Sequence, residues 1–127
     1  MVTYTMSDMK RIYIAGPMSG LPEFNFPAFN AVAKHFRDRG WVVFNPAEKE
    51  VEKTINNAAY ETGDSSLAIK EGFNFREVYM WDLEKVVVSD AIYMLEGWEN
   101  SPGARGEHAV AIAVKKHYPD YQILYAA

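Results

Sequence analysis

RIYIAGPMSG, residues 11–20, opens with five residues of apolar, β-forming sequence and is stopped by Gly16-Pro17, the pattern of a short buried strand running into a turn. Beyond the loop that follows, Phe26, Phe29, Val32, Ala33 and Phe36 recur at helical spacing, with Asn25 as candidate N-cap, Pro27 in the first turn and Gly40 just past the end. WVVFNP (41–46) is a second β-branched and aromatic run, closed by proline. The polar stretch after it has only weak helical pattern and a Gly63-Asp64-Ser65-Ser66 break, and reads as a partly helical, mobile insertion at about 47–72 that could act as a lid. Helical pattern returns from Phe73 to about Val88, AIYML (91–95) is a strand, AVAIAVKKH (109–117) lies on a helix, and YQILY (121–125) is a closing strand.

Strands alternating with helices through short connections imply right-handed parallel βαβ units. The pattern predicts an α/β fold: a doubly wound, flavodoxin-like parallel sheet of four to five strands, helices on both faces, strand order beginning 2-1-3. In that topology the chain reverses direction across the sheet between the first and third strands, and ligands bind above the carboxyl ends of those two. The loops GPMSGLPEF (16–24) and EGWENSPGARGE (96–107), the most glycine- and proline-marked in the chain, are thereby brought over one crevice. The nine residues MVTYTMSDM, polar and aperiodic, read as a flexible leader, leaving 10–127 as a single domain.

Bulk properties narrow the function. The 127 residues include no cysteine, which excludes disulfides, thiolate zinc sites and cysteine nucleophiles. The formal charge of -4 is spread without blocks of one sign, so the footprint of a duplex nucleic-acid binder is missing. No apolar run approaches the roughly 20 residues a membrane helix needs, and a cytoplasmic protein is expected. Nothing has metal-ligand spacing, and GPMSG is neither a P-loop nor a complete dinucleotide fingerprint, so no metal and no cofactor are expected.

Two carboxylates stand out. Glu107, in SPGARGEHAVA, is read at the start of a helix, where the positive dipole end keeps it ionised and aimed at the crevice. That suits a nucleophile, though glutamate is favoured in first turns for the dipole alone. Asp82 falls among Phe75, Val78, Tyr79 and Val86, on the stripe that faces the sheet. A charge there needs either a structural partner or a polar cavity. Two carboxyls converging on a sugar are the equipment of retaining glycoside cleavage. Around them, Ser19, Ser101 and the backbone N–H groups of Gly16, Gly20 and Gly103, with Arg105, are candidate phosphate ligands, and each loop alone is equally readable as a turn. Met18, Phe24 and Trp98 are candidates to enclose a base.

IYIAGPMSG, WDLEKVVVSDAIYML (81–95) and SPGARGEHAVA (101–111) together resemble the nucleoside 2-deoxyribosyltransferase superfamily, in particular its small, often phage-encoded branch. The resemblance implies an active site of Tyr13, Asp82 and Glu107, with the glutamate as the nucleophile of a covalent glycosyl-enzyme. It also implies a nucleoside or nucleotide as small-molecule partner and assembly into a homodimer or higher homo-oligomer. Ser101, six residues before the glutamate, matches the deoxynucleoside 5′-monophosphate N-glycosidases, where a serine contacts the phosphate; the transferases acting on free nucleosides carry an aspartate there. The expected activity is cleavage of the base–sugar bond of a (deoxy)nucleoside 5′-monophosphate through a covalent glycosyl-Glu107 intermediate; deoxyribosyl transfer, cleavage of NAD or an ADP-ribose derivative, and a non-catalytic nucleotide sensor are the alternatives.

Overall fold

The computed structural model describes residues 9–52, 57–70 and 72–127; all of the expected leader except Met9 lies outside them. Four parallel strands, β1 (Arg11–Ala15), β2 (Val42–Phe44), β3 (Ala91–Met94) and β4 (Gln122–Tyr125), form one sheet in the order β2-β1-β3-β4. Tyr13 is opposite Phe44 on one side and Ile92 on the other. This is the doubly wound, flavodoxin-like sheet that the alternation of strands and helices predicts.

Both sheet faces are covered, so the central strands are apolar at every position rather than at alternate ones. Ile12 and Ile14 project to one face, where they pack with Phe29, Ala33 and Phe36 of helix α1 (Phe26–Arg37). Tyr13 and Ala15 project to the other, among Ile92, Met94, Val86 of helix α5 (Phe75–Val88) and Ala111 of helix α6 (Pro102–His117). Burying each of the larger side chains contributes about 1.5–3 kcal/mol. The face change between α1 and α5 follows from crossing β1 to reach the β3 position, and it opens the crevice.

β1 spans the residues its pattern marks, whereas β2, β3 and β4 are shorter than theirs. Asn25 occupies the N-cap position of α1, but its side chain makes no capping bond; it donates instead to the Pro17 carbonyl at 3.1 Å. Glu23, Phe24 and Asn25 all have positive φ (57°, 50° and 60°), a left-handed turn that costs energy in non-glycine residues and buries Phe24 beneath the β1 loop. β2 stops at Phe44 because the Asn45 side chain accepts from the Ala47 N–H at 3.0 Å, letting Pro46 begin a helix.

The described residues of the insertion form three short helices, α2 (Pro46–Glu52), α3 (Asn57–Thr62) and α4 (Ser65–Lys70); residues 53–56 and 71 lie outside them. The insertion docks on the β1 loop and the start of α1 through the Gly20 N–H to the Gly63 carbonyl at 2.7 Å, a contact between the Ser19 and Ser65 hydroxyls, and the Phe26 and Tyr60 rings at 5.4 Å. In α5, capped by Asn74, the buried stripe is Val78, Asp82 and Val86, while Phe75 at its start is half exposed. Among the described residues no helix is long and apolar enough to cross a membrane.

Candidate active site

Tyr13 sits at the centre of β1, and strand alternation turns its ring onto the α5/α6 face, where it is 0% exposed. A buried phenol needs a partner, and its hydroxyl donates to Oε2 of Glu107, itself only 4% exposed. Asp82 is one helical turn from both Val78 and Val86, which fixes it on the inner stripe of α5 at 7% exposure. Loss of water pushes its carboxyl up to about 7, against an opposing pull from the Tyr13 hydroxyl. Among the described residues, its Oδ1 has no hydrogen-bond partner.

A second tyrosine adjoins the pair. The Tyr79 hydroxyl donates to the Gly103 carbonyl at 2.8 Å, and its ring stacks on Phe75 with centroids 5.3 Å apart. Burial, then the charges of Glu107 and Asp82, push its phenol up to about 12. One strand and two helices therefore bring two carboxyls and two phenols to a single point.

The helix carrying Glu107 starts earlier than its sequence suggests. Ser101 is the N-cap, its Oγ accepting from the Ala104 N–H at 3.2 Å, and Pro102 holds the first helical position. Glu107 therefore lies in the second turn, and the first turn contains no acidic residue. Dipole stabilisation fades beyond the first turn, so a general preference for glutamate at helix starts does not account for this buried one. Its partner, Tyr13, does.

These groups floor a cleft of about 640 Å³ between the β1 loop, α4, the start of α5 and the start of α6. Of the residues the sequence marked, Gly16, Met18, Ser19, Phe24, Ser101 and Gly103 line it with Tyr13, Asp82 and Glu107. Gly16 has a packing reason as well, since a Cβ there would lie 2.7 Å from Cβ of Leu95. Gly20, Arg105 and Trp98 are not in the lining. The Gly20 N–H is committed to Gly63, Arg105 is exposed, and Trp98 packs 4.3 Å from the His108 ring.

The sequence reading did not mark Ala68 and Ile69 of α4, Phe73, or Glu96 as lining residues. Tyr79 had a signal, its place on the Asp82 stripe; the insertion residues had none. Asp82, Glu96 and Glu107 are the charged lining residues, and no lysine or arginine joins them among the described residues. Geometrically, the arrangement can hold a flat, largely apolar ligand over a carboxylate fixed by a phenol, beside a carboxyl that exchanges its proton near neutrality.

The family described as Domain of unknown function (DUF4406) matches residues 10–118. No curated protein matches the chain.

Proposed function

The chain belongs to the DUF4406 family, and from the geometry of its cleft we propose that it is an N-glycosidase, cleaving the base–sugar bond of a nucleoside-type substrate through a covalent glycosyl-Glu107 intermediate. The observation that carries this reading is the buried set of Glu107 held by Tyr13, next to a buried Asp82 whose carboxyl loss of water pushes up to about 7. Glu107 attacks C1′ and forms an ester bond while the C1′–N bond breaks and its electron pair leaves with the base. Asp82 gives its proton to the departing nitrogen. In the second step water adds at C1′, Asp82 takes a proton from it, and the Glu107 carboxylate is released. A second base in place of water would make the same intermediate a transfer reaction.

The substrate follows from charge. A 5′-monophosphate is supported by Ser101, whose Oγ accepts from Ala104 yet retains its own proton to donate to a phosphate oxygen. Against it stand Glu96 and Glu107 in the lining, beside the proton-holding Asp82, and no lysine or arginine among the described lining residues. The unphosphorylated nucleoside is accordingly the preferred substrate and the 5′-monophosphate the second reading.

The test incubates the protein with nucleosides, their 5′-monophosphates and NAD, follows free base by chromatography, and looks for a glycosyl adduct by intact-protein mass. Base release that disappears in Glu107→Gln, by a factor of about 10³ or more, supports the mechanism. Binding of these compounds without base release from any of them would sink it and leave a nucleotide sensor as the better description.

A further inference from the structure

Gly106 lies inside helix α6, in its second turn, where glycine is the least favourable residue short of proline, so its presence asks for a reason. The reason is Tyr79. A Cβ built at Gly106 would collide with the Tyr79 hydroxyl, whereas Cζ of the same ring is 3.7 Å away, an ordinary contact. The hydroxyl alone creates the conflict. It cannot swing aside cheaply, because its oxygen is bonded to the Gly103 carbonyl and its ring is stacked on Phe75.

The location gives this contact its meaning. Tyr79 is three residues before Asp82 on α5, and Gly103 and Gly106 bracket the turn of α6 that leads into Glu107. The phenol oxygen is close enough to both carboxyls for their charges to raise its own pKa. Its single proton is committed to a backbone carbonyl, so it neutralises neither carboxyl.

We infer that Tyr79 is a positioning residue: its bond to Gly103, seated in the gap left by Gly106, sets the spacing of α5 and α6 and thereby holds Asp82 and Glu107 in working register about Tyr13. This deepens the N-glycosidase reading and rests on it for the kinetic effect, although the geometry is testable without turnover. The groups facing Asp82 are Tyr13 on β1, Tyr79 on its own helix and Glu107 on α6, with Glu96 elsewhere in the lining of the same cleft. Separating the helices would admit water to Asp82 and return its carboxyl toward the ordinary range.

The experiment compares wild type, Tyr79→Phe, Gly106→Ala and the double variant. It reads kcat and KM for base release and the Asp82 titration by carbon-13 NMR of the carboxyl. Gly106→Ala is expected to lower kcat at least ten-fold with KM within about two-fold, and to move the Asp82 titration down by about one pH unit. Tyr79→Phe, which keeps the ring and loses the bond, is expected to lower kcat about three- to ten-fold at similar KM.

The decisive outcome is the double variant, because removing the hydroxyl clears the space a Cβ needs. It should bring both the titration and kcat back to those of Tyr79→Phe, which lacks the same bond. If Gly106→Ala fails to fold while the double variant folds, the compensation is demonstrated in another form. The inference is overturned if Gly106→Ala leaves titration and kcat unchanged, if the double variant is no better than Gly106→Ala, or if Tyr79→Phe is kinetically wild type. A wild type that releases no base overturns the N-glycosidase reading instead, and the titrations still decide the role of Tyr79.

Discussion

Asp82 shows how a single residue can be both legible and expensive. Its place on an apolar stripe betrays it in the sequence, and burial raises its pKa from 3.8 to about 7. The folded state thus binds the proton more tightly than the unfolded chain does. The associated stability is fully present below pH 4 and lost as the pH rises through 7, a change on the order of 4 kcal/mol. Asp82→Asn carries no titrating group, so its stability relative to wild type should climb between pH 4 and pH 8, measured as urea midpoints at each pH. The same variant cannot deliver a proton, and its kcat should fall about 10²- to 10⁴-fold. Wild-type turnover should decline above pH 7 as Asp82 ionises. A flat stability difference across that range would refute the buried, proton-holding assignment. Tyr13 was less legible: within IYIA it reads as one more strand residue, and only resemblance marked it. Its hydroxyl matters because of a partner 94 positions away, which local pattern does not encode.

Among the elements, legibility tracked how much each depends on its own sequence. β1, β3 and α1 carry dense apolar patterns and are readable from them, β1 down to both of its ends. The start of α6 was misjudged because two glycines in SPGARGE suggest a loop, although Ser101-Pro102 is itself a start signal. Ser101→Ala should remove a cap bond worth about 1 kcal/mol, lowering Tm by roughly 4 °C in thermal unfolding. A shift under a degree would deny the capping role, whatever the substrate does. The insertion was illegible for a different reason. Helices of six or seven residues are too short to persist alone, and α3 and α4 exist through docking rather than periodicity. Gly63, at φ +75° and against the backbone of Leu21, is the hinge of that docking. Gly63→Ala is therefore expected to loosen α3 and α4 selectively, seen as faster amide hydrogen exchange there than in the sheet, and to raise KM because α4 lines the cleft. Uniform exchange across the chain would contradict this.

At the scale of the whole molecule, sheet topology alone located the crevice, since the reversal between β1 and β3 follows from strand order. What topology does not determine is the sign of the field inside it. Arg105 is four residues from Ser101 in the chain, yet α6 turns it out of the lining, so the cation expected beside a phosphate is absent there. Glu96 and Glu107 set the charge instead, beside an Asp82 that holds its proton up to about pH 7. At an effective dielectric of about 20, like unit charges 8 Å apart repel by roughly 2 kcal/mol, enough to outweigh one neutral hydroxyl donor such as Ser101. The free nucleoside should accordingly exceed its own 5′-monophosphate in kcat/KM by at least about ten-fold at low ionic strength. Because Glu96 is exposed, part of this penalty is screened, and the ratio should shrink as salt rises toward 0.5 M and shrink again in Glu96→Gln. A monophosphate preferred at every salt concentration would mean that the Ser101 hydroxyl and the α6 N-terminus outweigh the carboxyls, and the substrate assignment would pass to the nucleotide with the Glu107 chemistry intact.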